Sequence, residues 1–349
     1  MNTRMLATCT ALLCLAIAAP VNASLTLTPQ GITDGFTLST FLSGYTPSTY
    51  GPLAQGVLNG KVIAPSAFTG GSFTGTVYVF NDVDNQTLSD AITSSPYTAQ
   101  TGNPQFAMTT AGGQVYGAQA FGGIYEHFSS NGTFTPIPNL QSDGLTSFLG
   151  MWTDPVNQHI ISASEMGLVD IDPVAGTFKV IVPGLFPDGV SVSPNGQVAY
   201  VAISNGIGAY SISTGSPVNF WAVGHGTDGT GVITGGKFNG DIVVNNNDGT
   251  VGLLDPTNGN YSTIADSGTR GDWVSLDTNN GSLFLSLHVR DDPRARQLRP
   301  AGGGHSVRCR SSGAKVPHVT FCRAVQHSAG ALAPAEDCGW PLFACGWQM

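Results

Sequence analysis

Four aspartates stand where the chain opens a new repeating unit: Asp143, Asp188, Asp228 and Asp272. Three precede glycine, as Asp143-Gly144, Asp188-Gly189 and Asp228-Gly229, and the fourth follows one, as Gly271-Asp272. Carboxylate oxygens carried to one point from separate units form a hard donor set, the kind that holds Ca2+ or Mg2+. A metal-bound water at that point could act on a sugar-like or lactone substrate. Acid and amide oxygens at Asn103, Glu165, Asn205, Asn246 and Asp248 belong at the same end of the fold. A local reading competes with the metal one, because aspartate before glycine is an ordinary turn residue that bonds its own backbone. Ca2+ is thus the cofactor expected if the four aspartates converge, and no residue is singled out as catalytic.

The elements that would position them are clearest between Asp188 and Gly226. That stretch reads as four short strands at 189–193, 197–203, 207–213 and 218–223, divided by Pro194-Asn195-Gly196, Ser204-Asn205-Gly206 and Thr214-Gly215-Ser216-Pro217. Four antiparallel strands in about forty residues make one propeller blade. Val190, Val192, Val198, Tyr200, Val201, Ile207 and Tyr210 are its expected apolar payload. A lone sheet cannot bury both faces, but radial packing against neighbours does.

The turn between first and second strands marks the repeat. It appears as Asn59-Gly60, Gly112-Gly113, Asn157-Gln158, Asn195-Gly196, Asn239-Gly240 and Asn280-Gly281, at spacings of 53, 45, 38, 44 and 41 residues. Asn and Gly tolerate the positive φ angles of tight hairpins. The units fall at 51–102, 103–142, 143–187, 188–227, 228–270 and 271 onward. The last shows only two clear strands before residue 288, and an isolated strand pattern at 35–45 precedes the first. The expectation is an all-β propeller of six four-stranded blades, the sixth closed by that N-terminal strand.

Composition narrows the partners. The chain has a net charge of −9, and residues 24–287 hold 18 acidic residues against four basic ones. Such a body excludes nucleic acid, whose phosphates need basic patches. A protein, small-molecule or carbohydrate ligand is expected instead, on a monomer. Residues 1–23 carry Arg4, an apolar run and Val21-Asn22-Ala23, the pattern of a cleaved export signal. A secreted, periplasmic or extracellular chain with no transmembrane segment after cleavage is expected. Between them, residues 24–287 contain no cysteine, so their fold does not rest on disulfides.

After residue 287 the alternation stops. Residues 288–349 hold eight of the 13 Lys and Arg residues and four of the six cysteines. Two readings fit: a small basic domain with two disulfides, or a change of reading frame inside the sixth unit that leaves an irregular, disordered end. The second is expected, since a third strand is still owed where the break falls.

The segments Gly75–Asp82, Gly167–Pro173 and Pro187–Gly196 resemble the secreted six-bladed propellers of the gluconolactonase/senescence-marker-like and NHL-repeat superfamily. The resemblance covers about residues 35–287 and specifies blades rather than chemistry. For lactonase members it implies a divalent cation held by Glu, Asn and Asp at the channel mouth, where Asp188, Asp228 and Asp272 would match the acid positions. The body also resembles bacterial exported proteins that end in a Pro-Glu-Pro sorting signal, a signal this sequence lacks. The chain is expected to be a binding or scaffold module, with a metal-dependent lactonase-like hydrolase as the alternative.

Overall fold

The computed structural model describes residues 25–45, 54–66, 74–98, 106–268, 270–287, 304–305 and 307–308. Within them lie five four-stranded antiparallel sheets, each with its strands in chain order. Sheet one contains Gly56–Leu58, Lys61–Pro65, Thr74–Asn81 and Thr93–Thr98. Sheet two contains Phe106–Ala111, Gln114–Gln119, Tyr125–Phe128 and Phe134–Pro136. Sheet three contains Ser147–Thr153, Ile160–Ser164, Gly167–Asp172 and Thr177–Pro183. Sheet four contains Val190–Val192, Val198–Ile203, Gly206–Ser211 and Pro217–Ala222. Sheet five contains Thr227–Val232, Ile242–Asn246, Val251–Leu254 and Tyr261–Asp266. A hairpin of Gly271–Leu276 and Leu283–Leu287 follows, with Val307–Arg308 paired to its second strand. The protein is an all-β propeller of four-stranded blades.

The hairpin turns fall where the sequence marks them. Gly60, Gly113, Gln158, Gly196, Gly240 and Gly281 all have φ between +64° and +96° at the first-to-second connection. Gln158 does so without being glycine, which is uncommon for a side chain of that length. Second strands are sandwiched on both faces. All five residues of Ile160–Ser164, Ile242–Asn246 and Leu283–Leu287 are buried. Of the apolar payload in sheet four, Val190, Val192, Tyr200, Val201 and Ile207 are buried, while Val198 and Tyr210 pack partly exposed at its margin. Burying each such aliphatic side chain contributes about 1.5–3 kcal/mol.

The innermost strands touch in sequence order. Thr110 Oγ1 accepts from Val57 N and donates to Val57 O, joining sheets one and two. Thr153 Oγ1 donates to Thr110 O, joining two and three. Gly150 N donates to Asp188 O at 2.8 Å, joining three and four. Glycine contacts join four to five and five to the hairpin, and Gln55 N donates to Ser275 Oγ, joining the hairpin back to sheet one.

The N-terminal region departs from expectation. Leu42–Tyr45 pairs in parallel with Gln86–Thr87 and antiparallel with Gly304–His305, and does not join Leu283–Leu287. It meets the last hairpin through side chains instead: Phe41 packs edge-on against Phe284, with ring centroids 4.8 Å apart. The partner of Leu283–Leu287 is Val307–Arg308, so two short strands come from the region expected to be irregular. Upstream, Thr26–Leu27 adds a fifth strand to the outer edge of sheet five. A one-turn helix, Pro29–Asp34, follows with Thr28 as N-cap and Pro29 at its start. Gly31 is required there, because a Cβ would run into Ile264 O. The export-signal pattern lies outside the described residues, as do Asn103 and the four cysteines after residue 287. Among the described residues no helix is long and apolar enough to cross a membrane.

Candidate functional site at the channel mouth

Asp188, Asp228 and Asp272 sit at or beside the first residues of three successive innermost strands, all at the same end of the ring. They meet there because the glycines beside them let neighbouring strands approach. A Cβ on Gly150 would collide with Asp188 O, one on Gly189 with Asp228 O, and one on Gly229 with Asp272 O. The Asp-Gly pair is thus a joint between blades: each glycine receives the aspartate backbone of the next blade. Neither Gly189 nor Gly229 has a positive φ, so the tight-turn reading fails at these two positions.

That turn reading holds at Asp143-Gly144. Gly144 has φ +85°, and Asp143 is exposed in the connection before sheet three, with its N–H bonded to Asn139 O. The residues of sheet three in the joint position are Leu149-Gly150, six places later. Asp143 imitates the repeat in sequence but does not share its geometry, and the structure does not bring it to the other three aspartates.

Bulges aim the carboxyls. The register of sheet five passes from Thr227 opposite Asn246 to Gly229 opposite Asn245, leaving Asp228 as the extra residue. The last hairpin has a similar irregularity between Gly271 and Val274, around Asp272. An extra residue bends the strand and redirects its side chain. Asn245 anchors this end: its Nδ2 donates to Asp272 O at 3.1 Å and Ser286 O at 2.8 Å.

One cation answers the three acids. Arg270 Nη2 lies 2.9 Å from Asp228 Oδ2; the Asp228 side chain is 2% exposed and that of Arg270 39%. Asp272 is buried and Asp188 is half-buried. Burial and the Asp272 carboxylate push Asp188 up to about 7, with a hydrogen bond from Asp228 and the charge of Arg270 opposing. Burial, then Asp272 and Asp188, push Asp228 well above the usual carboxylate range, although Arg270 pulls it down. Asp188 and Asp228 therefore hold their protons more tightly than isolated carboxyls do, and the two titrate as a pair. Nearby, Ser191 Oγ, Thr230 Oγ1, Asn245 Oδ1 and Trp273 Nε1 are buried without a protein partner. Each such group carries a desolvation cost that a polar ligand could offset.

The donor chemistry only partly fits a divalent cation. Three carboxyls are suitable oxygen donors, but a guanidinium already lies against the deepest of them. Among the described residues no group of three or more His, Cys, Asp or Glu side chains is arranged to hold a metal ion. Of the other oxygens expected at this end, Glu165 is an exposed turn residue. Asn246 Nδ2 donates to Thr250 Oγ1 and Tyr261 Oη, while its Oδ1 is buried without a protein partner. Asp248 Oδ2 lies 2.5 Å from His225 Nδ1 on the loops flanking Asp228.

Sequence reasoning missed Arg270 and Asn245. Arg270 carried a signal, as one of only four cations in residues 24–287 and the one two positions from a repeat aspartate. Asn245 carried none, because its role depends on which backbone carbonyls the next blade brings to it.

No family model matches the chain, and no curated protein matches it. Solved structures with a similar course include a nidogen/laminin complex at 10% identity and TM-score 0.47, covering 64% of this chain and 83% of that one. The Myceliophteria thermophila Cps50 (Swd1) beta-propeller domain aligns at 7% identity and TM-score 0.44, covering 67% and 80%. The extracellular domain of a one-component system from B. thetaiotaomicron aligns at 12% identity and TM-score 0.45 over 66% of this chain, which spans 31% of that chain's length. These likenesses are weak, and the propeller assignment rests on the strand pairing itself.

Proposed function

We propose that the chain is a propeller binding module that takes its ligand at the channel mouth where Asp188, Asp228 and Asp272 meet Arg270. The observation that supports this reading is the convergence of three acids from three successive units on a single guanidinium, with acid in excess. Such a mouth favours a cationic or hydroxyl-rich ligand and disfavours an anion. Ca2+ remains a candidate, and its entry would require Arg270 to swing off Asp228. A ring of six units, the gluconolactonase/senescence-marker-like and NHL-repeat kinship, and export belong to the same proposal. The contact of Gln55 with Ser275 and the added strand Val307–Arg308 support six units. The leader-like composition of residues 1–23 supports export.

Calorimetric titration of the full chain with CaCl2, then with neutral sugars and lactones, tests the proposal. Binding by wild type that is lost in Asp188→Ala and Asp228→Ala is the expected result. Absence of binding by a folded sample, or binding that both variants retain, would overturn it.

One observation favours the hydrolase alternative. His225 and Asp248 form an imidazole–carboxylate pair on the loops beside Asp228, the arrangement that orients a general base. Lactone hydrolysis that His225→Gln abolishes in a folded protein would establish it; no turnover by wild type, with or without Ca2+, would exclude it for those substrates.

A further inference from the structure

Three phenylalanines meet at the channel-mouth end of sheets two to four. Phe121 lies in the connection between the second and third strands of sheet two. Phe148 stands at the start of the first strand of sheet three, and Phe186 in the connection into sheet four. The Phe121 and Phe148 rings meet edge to face, with centroids 5.4 Å apart and planes at 88°. Phe148 and Phe186 follow at 5.5 Å and 55°. Backbone fixes the row: Phe121 N donates to Phe148 O at 2.9 Å, and Gly122 N to Ser147 O at 2.7 Å. The row adjoins the acids. Phe186 stands two residues before Asp188, and Phe148 two before Gly150, whose N–H is bonded to Asp188 O.

Folding alone does not account for these rings. Phe121 is 40% exposed and Phe186 48%, so neither gains its full burial energy. Phe121 also has φ +54°, in the left-handed region, where a bulky side chain is an outlier that glycine would relieve. Strain of this kind clusters at sites that use the side chain. Met166, 36% exposed, stands on the neighbouring connection, its O bonded to Gly184 N two residues before Phe186. The charge around the row is negative: Asp143 and Glu165 are exposed, and Asp188 is half-buried. Residues 119–190 hold one lysine and no arginine, and that Lys179 donates to Ser213 O at the opposite end of the sheets.

We infer that the mouth end of sheets two to four docks a polypeptide segment in which lysine or arginine stands beside large apolar residues. The apolar side chains rest on Phe121, Phe148 and Phe186, and the cation reaches Asp188. The inference rests on the binding reading above and names its ligand. Shape selects a polypeptide. Rings packed edge to face leave no slot between them, so the row is a ridge, whereas small molecules need concave sites. Exposed aromatic anchors are what protein partners bury. Charge selects the sign, because carboxylates around an apolar row repel acidic partners and steer basic ones. A metal ion at the acids would leave the strained Phe121 ring unused.

Selection of a displayed library of random peptides against the immobilised full chain tests this, followed by calorimetry of the enriched peptides. Enrichment of sequences that pair Lys or Arg with Phe, Trp, Leu or Met is expected, with affinity that falls as salt rises. Phe121→Gly, Phe186→Ser and Asp188→Ala should each weaken binding about ten-fold or more. Phe121→Gly should do so with a Tm no lower than that of wild type, since it relieves the left-handed strain. A lower Tm with unchanged binding would make the ring structural and overturn the inference. Enrichment of acidic or uncharged sequences, or no enrichment, would also overturn it. Binding lost in Asp188→Ala but kept in both phenylalanine variants would overturn it and leave the mouth reading standing. Binding lost in the phenylalanine variants but kept in Asp188→Ala and Asp228→Ala would overturn both. Benzyltrimethylammonium bound as tightly as the enriched peptides would overturn it in favour of a small cation.

Discussion

The two arcs of the ring solve the same problem differently. From sheet three through the last hairpin, neighbouring innermost strands close by setting a glycine against an aspartate backbone: Gly150 on Asp188, Gly189 on Asp228 and Gly229 on Asp272. From the hairpin through sheets one and two to sheet three, hydroxyls do the joining: Ser275 with Gln55, Thr110 with Val57, and Thr153 with Thr110. A hydroxyl joint consumes the side chain that makes it. A glycine joint uses only backbone, and the adjoining aspartate side chains are left to gather. The acidic mouth therefore lies on the glycine arc.

The glycine arc should be the more fragile to added bulk. Gly189→Val or Gly229→Val pushes two backbones apart and should cost about 3 kcal/mol or more, enough to unfold a marginal domain. Gly112→Ala, in a surface turn with φ +56° and open space around it, should cost only about 1 kcal/mol. Thermal denaturation followed by circular dichroism separates the two classes.

Charge sharpens the contrast next. Arg270→Met leaves Asp228 buried without its cation and should destabilise by about 2–3 kcal/mol at pH 8, with the arginine's partial exposure moderating the loss. The cost should shrink as pH falls, because Asp228, already raised by burial and its acid neighbours, takes up a proton more readily once the cation is gone.

Asp188→Asn should have the opposite sign. Its folded pKa near 7 lies above the unfolded value of about 4, so the folded state binds the extra proton between them. Stability contributed by the protonated acid is present below pH 4 and is lost as pH rises through 7. The substitution should stabilise at pH 8, by about 4 kcal/mol at most, and by nothing at pH 4. Urea unfolding at the two pH values checks it.

The hydroxyl arc offers a control acid. Glu126 is 1% exposed on the third strand of sheet two. Burial pushes it up to about 8, while a hydrogen bond from Gln119 opposes. Lacking a guanidinium, it should be neutral at pH 7, so Glu126→Gln should change stability by less than about 1 kcal/mol there and stabilise above pH 9.

The repeat was legible because its turns are local. Asn-Gly and Gly-Gly announce positive φ within two residues, and all six first-to-second turns fall where they were expected. The strands of sheet four were legible for the same reason, each bounded by its own turn cluster. What joins one sheet to the next was not. Asp143-Gly144 and Asp188-Gly189 are the same dipeptide, yet one is a left-handed turn and the other a joint between blades. Only the partner strand, some forty residues away, distinguishes them. The N-terminal segment misled likewise: it meets the last hairpin through the Phe41 ring and not as the closing strand, because the ladder positions of Leu42–Tyr45 are taken by Gln86–Thr87 and Gly304–His305. Arg270 stands two positions from a repeat aspartate, but a single cation has no periodicity to tie it to the site.

The central claim is that three aspartates from successive units and Arg270 make one electrostatic site. Carbon-13 titration of the Asp188 carboxyl, in wild type and in Asp272→Asn, tests it most directly. The account predicts a midpoint near 7 in wild type and a lower one in the variant, which removes a neighbouring negative charge. A midpoint near 4 in both proteins, the value of an isolated carboxyl, would contradict it and return the aspartates to the role of blade joints alone.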